Sequence, residues 1–409
     1  MTSNYDSTQH DPCQGLAEEL DGIFASIPYK DLLRALVSER VRSFSPLGRP
    51  GYSLEAMLKG ILAGYYLCLK STADIVRRLQ EDSTLALFCG FNSEVPIPHR
   101  TSFSRFIKKL RKCQNLVDQC LNVMTSELKS LLPDFGKIVI VDSTPVPSYS
   151  NPNRKGKPVS DQEAGWIAKG GSGKNIQWVF GYRLHLAVDA KYELPIGKKQ
   201  TLAQVQDIQM MIPLLNETKQ SLQWFSPDVV MGDKGYDSHN NYEGVVKDFE
   251  ADPIIPLAAK SKEPPPLVTG SPAAPYCPGG LPLIYRSWDK NQGLQYQCPE
   301  KAGKACCPML FKCPLKIIWV RPIHDYRRFG YRVKRGTEEW KELYHQRVGV
   351  ERCISRLKET RRLEDHCFRG FERINIHSTL SVLVMQAVAL AKAKVGQIEQ
   401  VRLCGRQID

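Results

Sequence analysis

Three carboxylates occupy positions where acidic side chains could bind metal ions. Asp142 follows the β-branched run KIVIV, residues 137–141, and Asp233 follows the apolar run DVVM, residues 228–231. Glu351 lies farther along, in a segment with helical periodicity. An acid that follows a buried strand is held by the sheet, so two neighbouring strands can bring two carboxylates together. Such a pair, completed by a third acid, can hold two Mg²⁺ ions ~3.5–4 Å apart for displacement at phosphorus.

The segment around Glu351 predicts a helix with a polar seam. On one continuous helix from about residue 337 to 362, four side chains would fall within about 60° of each other. They are Tyr344, Arg347, Glu351 and Lys358. Arg347 and Lys358 would suit phosphates beside a metal ion held by Glu351. The alternatives are an exposed, ion-paired helix, because Arg347 and Glu351 are four residues apart, and aspartates that only cap turns.

The elements that must position these acids predict a mixed α/β domain. Alternating or apolar runs indicate strands, and one helical stretch lies between them: strands at 137–141, 179–189, 194–202, 227–231 and 253–256, and a helix at 207–222. Strands first, then alternating helix and strand, are typical of a mixed α/β architecture. An apolar helix is expected at 374–394.

The front of the chain predicts helices, with a basic helix expected from about residue 101 to 132. Its apolar stripe consists of Phe103, Phe106, Ile107 and Leu110. Its basic stripe consists of Arg105, Lys108, Lys109 and Lys112. The two-residue offset corresponds to about 200° around a helix, so the stripes lie on opposite faces. Such a helix can pack on a core and face DNA phosphates, and an ordinary solvated basic face fits equally well.

Composition favours a polyanionic partner. The chain has 56 Lys and Arg against 43 Asp and Glu, a formal net charge of +13. That excess favours nucleic acid, with a merely basic enzyme as the alternative. The most apolar run, 382–390, is shorter than the ~20 residues that span a bilayer, so no membrane contact is expected. The thirteen cysteines are odd in number and scattered, which favours reduced thiols in the cytoplasm.

Residues 257–336 differ in composition and predict an insertion, Pro-rich at first and then Cys-rich. Its cysteines lie beside Pro and Gly turns: Cys277, Cys298, Cys306, Cys307 and Cys313. Four thiolates make a tetrahedral zinc site. Here they would be Cys277, Cys298, Cys313 and one of the two adjacent cysteines, with Cys307 as our choice. No tight C-x-x-C spacing is present, so reduced thiols in a small core are the alternative.

Aromatic and basic residues alternate from 316 to 335, a composition suited to DNA backbone contact and to stacking on an unpaired base. A solvated linker fits this run nearly as well. Trp288 and Trp340 are candidates for holding an unpaired base, although tryptophans more often pack in a core.

These motifs together resemble the DDE-type insertion-sequence transposases. The residues Tyr344-x2-Arg347-x3-Glu351-x6-Lys358 are similar to the YREK signature of that family, which is specific. Other segments resemble, in order, the helical N-terminal domain, the two aspartate motifs, the second strand and the aspartate before the next helix: 48–52, 87–91, 100–105, Asp142, 180–189, Asp207 and 233–238. The resemblance covers roughly residues 45–390.

The resemblance implies a ribonuclease-H-like mixed sheet flanked by helices, preceded by an all-α DNA-binding domain. The expected organisation is an N-terminal helical extension at 1–44, a DNA-binding domain at 45–135, a catalytic domain at 136–256 and 337–395, the Cys-rich insertion at 257–336, and a tail at 396–409. Ser143 departs from the pattern, because some relatives carry a second aspartate after the first.

The resemblance also implies that Asp142, Asp233 and Glu351 bind two Mg²⁺ or Mn²⁺ ions. Water would then attack a phosphodiester at a transposon end, and the freed 3′-hydroxyl would attack target DNA. Double-stranded DNA is the expected partner, bound by a multimer on paired ends, in the cytoplasm with the nucleoid. Two alternatives remain: a ribonuclease-H-like nuclease without strand transfer, and a DNA-binding protein with a decayed active site.

Overall fold

Helices form the first part of the structure. The computed structural model describes residues 12–42, 51–92, 94–152, 158–170, 176–258, 275–277, 279–289, 293–307, 313, 315–320, 326–335 and 337–403. Within these ranges the helices before the first strand are α1 (Pro12–Ser26), α2 (Lys30–Arg42), α3 (Leu54–Tyr66), α4 (Thr72–Glu81), α5 (Ser83–Cys89), α6 (Arg100–Lys112) and α7 (Gln114–Leu131). The predicted border between residues 44 and 45 lies outside the described residues.

The expectation of one helix from 101 to 132 is wrong, because α6 ends at Lys112 and α7 begins at Gln114, with Cys113 between them. The break lets the apolar residues of both helices reach the core. Leu110 before the break and Val117 after it are both buried. The predicted apolar stripe of α6 is confirmed, since Phe103, Phe106, Ile107 and Leu110 are all buried.

A mixed sheet forms the second part. Its strands are β1 (Ile138–Pro147), β2 (Gly165–Lys169), β3 (Gln177–Asp189), β4 (Pro195–Leu202), β5 (Val229–Met231) and β6 (Asp252–Ile254). β3 lies antiparallel beside β1, whereas β5 and β6 continue on the other side of β1 in parallel. Helices α8 (Met211–Ser221) and α9 (His239–Phe249) connect β4 to β5 and β5 to β6. The order β4-β3-β1-β5-β6 confirms the ribonuclease-H-like sheet.

The insertion carries its own small sheet, made of β7 (Ile284–Asp289), β8 (Gly293–Gln297) and β9 (Ile317–Val320) in antiparallel order. The segment after it, with α10 (Tyr326–Phe329), contacts the domain of the main sheet through a buried ion pair and a buried hydrogen bond. Arg327 binds Asp237 at 2.7 Å, and the Arg335 guanidinium donates to the Ile255 carbonyl at 2.9 Å. These arginines therefore hold structure together, which neither the DNA-contact nor the linker interpretation of 316–335 anticipated.

The last helices are α11 (Glu338–His345), α12 (Val348–Thr360) and α13 (Phe371–Lys394). α13 packs against α1, α3, α6, α7 and β4, so the front helices and the sheet share one continuous core. Its length and composition would let it cross a membrane, yet 89% of its most apolar window is buried inside the protein. Within the described residues it is thus a central packing element.

Candidate active site

Asp142 and Asp233 occupy equivalent positions on neighbouring strands. β1 and β5 pair in parallel through Ile140 and Met231, the last partners in that register. Each aspartate lies two residues beyond its strand's last partner. The expectation that Asp142 follows the end of its strand is wrong, because β1 continues to Pro147 along β3. What ends just before Asp142 is the parallel pairing with β5, and both aspartates lie beyond that ending.

The pKa of the Asp142 carboxyl lies well above its ordinary value. Burial raises the pKa of Asp142 to about 7, and the charges of Asp233 and Asp207 act in the same direction. The backbone N–H of Ser143 donates to Oδ1 at 2.7 Å, and Arg347 Nη1 lies 3.9 Å from Oδ2; both favour the ionised form. Negative charge is therefore concentrated here, and the nearby arginine offsets part of it.

The Asp233 loop brings a buried phenol to this cluster. The N–H of Gly235 donates to Asp233 Oδ1 at 2.8 Å, and a Cβ at position 235 would lie 2.8 Å from the same oxygen, so a larger residue there would make the Asp233 carboxylate move. Tyr236 is buried, and its hydroxyl has no hydrogen-bond partner among the described residues. Burial raises the pKa of Tyr236, with further contributions from Asp142, Asp207 and Asp233.

Glu351 reaches the cluster through an arginine. Arg347 lies directly before α12, and Glu351 lies in its first turn. The Arg347 guanidinium forms an ion pair with Glu351 and lies near Asp142, so it links the third acid to the first. The Glu351 side chain is 54% exposed and can therefore respond to a ligand.

The predicted seam does not lie on one helix. α11 ends at His345 and α12 begins at Val348, so the expectation of a continuous helix over 337–362 is wrong. Tyr344 still lies beside Arg347, with 6.0 Å between the ring centroid and the guanidinium carbon. Lys358 forms a separate ion pair with Glu364 at 2.7 Å. The structure thus groups three members of the seam and places the fourth farther along α12.

Asp207 supplies a carboxylate that the sequence argument did not place in the site. The Ser143 hydroxyl donates to Asp207 Oδ1 at 2.7 Å, and Arg183 binds both oxygens at 3.1 and 2.9 Å. Burial lowers the pKa of His185 to about 4, and its Nδ1 lies 3.7 Å from Asp207. Where some relatives carry a second aspartate, Ser143 binds one from another segment. The signal was available: Arg183 and His185 interrupt an otherwise apolar strand.

The donor set suits a hard cation. Among the described residues, no three His, Cys, Asp or Glu side chains are grouped so that they could hold a metal ion. Asp142 and Asp233 nevertheless offer two convergent carboxylates whose mutual repulsion a cation would relieve. Mg²⁺ sites commonly use one or two carboxylates and complete their shell with water and substrate phosphate. The pair therefore fits such an ion, with Glu351 held nearby by Arg347.

The basic stripe of α6 lies on the surface, opposite the buried apolar stripe. Arg105 and Lys108 are exposed, and Lys109 is partly buried. Lys112 is exposed and forms an ion pair with Glu39 of α2 at 3.1 Å. The predicted two-faced helix is thus confirmed as geometry, and its contact with DNA stays a prediction.

Some of the insertion cysteines lie close to one another. Cys277 and Cys298 are buried in the small core of the insertion, and Cys313 packs against that core. A Cβ placed on Gly279 would lie 2.9 Å from Cys307 Sγ and 3.6 Å from Cys277 Sγ, so these two thiols flank one glycine. Cys306 is exposed. Of the two adjacent cysteines, Cys307 therefore approaches the group, and zinc binding stays a prediction.

Two family models match the chain. The Transposase DDE domain matches residues 133–386, and the Transposase domain (DUF772) matches residues 10–109. The chain belongs to the DDE transposase family. This transposase has no match among curated protein sequences. Among solved structures, it is similar to a piggyBac transposase synaptic complex with hairpin DNA at 12% identity and a TM-score of 0.43, over 95% of this chain and 78% of that chain.

Family membership makes the protein a DNA transposase of the insertion-sequence type, as the motifs predicted. The DDE domain model spans both aspartates, the α12 glutamate and the insertion between them. The acid cluster therefore lies within the part of this transposase that the DDE domain defines.

Asp142→Asn tests the charge crowding in the cluster. A carboxyl with a folded pKa of about 7 and an ordinary value of 3.8 destabilises the fold as the pH rises between these values, because the unfolded chain loses the proton first. Without divalent cations, we expect the substitution to raise the free energy of unfolding by ~1–3 kcal/mol above pH 7, and to change it little near the ordinary pKa. Urea denaturation at both pH values measures this.

The matched control for this measurement is Asp248→Asn, which removes an exposed carboxylate from α9. It should leave the free energy of unfolding nearly unchanged at both pH values. A gain in Asp142→Asn that does not depend on pH would contradict the assignment of a raised pKa.

Proposed function

We propose that this transposase cuts DNA at the ends of its own element and joins the freed ends to target DNA, using Asp142, Asp233 and Glu351. The observation that carries the proposal is the parallel register of β1 and β5, which sets two aspartates side by side. The bridge from Asp142 to Glu351 through Arg347 supports the third assignment. Family membership supports the reaction class.

The acids would hold Mg²⁺ or Mn²⁺, in the two-ion arrangement that the resemblance implies. When bound, such ions supply an activated water and neutralise charge at the phosphorus under attack. Asp142 and Asp233 would supply two of the carboxylate ligands, and Glu351 would supply the third. Arg347, which now neutralises Glu351, would then be available to a DNA phosphate, a contact that guanidinium geometry favours.

Double-stranded DNA is the proposed substrate on two surfaces. The exposed basic stripe of α6 would bind the backbone of the element's ends, since phosphate contacts give affinity without requiring a sequence match. The acid cluster would receive the scissile phosphate. Action as a multimer on paired ends belongs to the same proposal. A nuclease that cuts without joining would share every one of these residues, so joined products decide between the two.

Alanine substitution tests the three acids one at a time. Asp142→Ala, Asp233→Ala and Glu351→Ala should each reduce cleavage and joining of the element's flanking DNA by at least about a thousandfold, because each removes a ligand for the catalytic ions. Binding of the same DNA should stay within a fewfold of wild type. The measurement is mapping of cut and joined ends with Mg²⁺, alongside binding in the absence of divalent ions.

Asp248→Ala serves as the control, because it removes an acid of α9 that lies on the surface. It should cleave and join like wild type. Full cleavage by any of the three active-site variants would refute the assignment of that residue, and wild-type cleavage with no joined product would favour the nuclease.

The basic stripe gives an independent prediction. Lys108→Ala combined with Lys112→Ala should weaken binding of the element's ends and reduce the slope of log affinity against log salt by about two, since each phosphate contact contributes about one. The control pair is Lys219→Ala with Lys247→Ala, which removes equal charge near α8 and α9. A salt slope equal to that of wild type would return this stripe to an ordinary solvated face.

Zinc binding by the insertion is open to direct measurement. If Cys277, Cys298, Cys307 and Cys313 bind zinc, elemental analysis of purified protein should find one ion per chain. Cys313→Ser should lose it, whereas Cys306→Ser should keep it, because Cys306 is exposed. Protein that folds without zinc would establish these residues as reduced thiols around the small core.

A further inference from the structure

The hairpin of β2 and β3 extends beyond the rest of the main sheet. β3 pairs with β1 only from Gly181 onward, opposite Pro147. Before that point, residues 177–179 pair with β2 alone in the part of the chain that the structure describes. The two strands therefore form a projecting β-ribbon, defined as residues 165–169 and 177–180. Such a ribbon needs a partner on one face, because two strands alone bury little surface.

One face of the β-ribbon is anchored and the other is aromatic. Ile167 is buried, and a Cβ on Gly165 would lie 2.9 Å from Ala203, so this face packs on the domain. The opposite face carries Trp166, Trp178 and Phe180, which share it through the pairs Trp166–Phe180 and Ala168–Trp178. Trp166 is 48% exposed and Trp178 is 59% exposed. Large apolar side chains left exposed together mark a binding surface.

The aromatic face lies on the same side of the sheet as Asp142, whereas Ser143 and Arg183, which bind Asp207, lie on the opposite side. Residues paired across neighbouring strands point to the same side. Asp142 is paired with Leu186, and every second residue back along β3 from Leu186 reaches Phe180 and Trp178. At ~3.3 Å per residue the two tryptophans lie about 20 and 26 Å from Asp142 along the strand direction. Leu184 and Tyr182 between them are buried, so DNA reaching from Asp142 to the ribbon would pass over the helices that cover this face.

Positive charge lies where the end of the ribbon meets α12, although Lys169 shares the ribbon face of Ile167. Lys169, at the end of β2, lies 3.9 Å from the Glu364 carboxylate, and Lys358 of α12 lies 2.7 Å from the same oxygen. Two ammonium groups thus share one carboxylate where the ribbon meets the helix that carries Glu351. Tyr149, 55% exposed at the base of the ribbon, carries the Arg369 guanidinium 5.5 Å from its ring centroid. A polyanion complements this surface.

We propose that the β-ribbon binds DNA beside the cleavage site and that Trp166 and Trp178 stack on unpaired bases. Exposed aromatic faces combined with cations are the usual means of binding unpaired DNA without reading its sequence. Trp166 is suited to stacking because Phe180 contacts it edge-on, with 5.4 Å between ring centroids and 63° between ring planes. At ~3.4 Å per nucleotide, the contacted bases lie about six to eight nucleotides from the phosphate at the acids. This inference rests on the proposed function of that site.

The test compares two DNA probes with the full-length protein in the absence of divalent ions. One probe is a duplex with a central mismatched bubble, and the other is a fully paired duplex of matched length. Wild type should prefer the bubble. Trp166→Ala and Trp178→Ala should each weaken binding of the bubble by about tenfold, with little effect on the paired duplex, and Trp166→Phe should retain most of the affinity. Fluorescence anisotropy measures the affinity of each protein for both probes.

Leu403→Ala is the matched control, since Leu403 is 61% exposed and lies in the tail, outside both the ribbon and the predicted DNA-binding domain. It should bind both probes like wild type. Equal loss on both probes, no loss, or a wild type without bubble preference would overturn the proposal. A tryptophan variant that changes only the sedimentation of the protein would assign the ribbon to contact between copies instead. This binding measurement is made without divalent ions, so its result can be interpreted even if the alanine variants of the three acids contradict the proposed cleavage.

Discussion

The parallel pairing of β1 with β5 is the constraint from which the site follows. Two parallel strands that pair in register stop pairing at matched positions. Here each strand has an aspartate two residues beyond its last paired residue. The short β5 diverges at once into the Asp233 loop, whereas β1 continues along β3. Both carboxylates lie just beyond the end of the parallel pairing, where burial and the charge of Asp233 together raise the pKa of Asp142.

Charge balance around the clustered carboxylates depends on arginines from segments that are distant in the chain. Arg347 offsets Asp142 and Glu351, and Arg183 offsets Asp207. Each arginine comes from an element that packs on the sheet for apolar reasons: α12 through Val350 and Leu357, β3 through its buried neighbours. A concentration of acids is costly in a protein interior unless cations lie nearby. The fold supplies part of this compensation and leaves an excess of negative charge suited to metal.

The long helix α13 packs the front helices and the main sheet into one body. Its sides contact both the front helices and β4, so the basic face of α6 is held relative to the acid cluster by a shared core. A transposase that must bind a DNA end at one place and cut it at another requires a fixed separation between the two surfaces. The β-ribbon is an extension of β3, the strand that pairs with β1.

The sequence alone determined the residue types and the local elements: apolar runs that form β1 and β5, the two-faced α6, and the motif acids of a DDE transposase. The apolar runs and the two faces of α6 follow from periodicity and short-range chemistry, which need no knowledge of distant partners, whereas the motif acids follow from the resemblance to that family. Only the tertiary structure decided which charged and aromatic residues are buried. It turned Arg327 and Arg335 into internal ion-pair and hydrogen-bond partners, stacked Trp340 on Tyr344, and left Trp166 and Trp178 exposed. Burial of these arginines and tryptophans depends on what packs against them from elsewhere in the chain, so neither composition nor spacing could assign it.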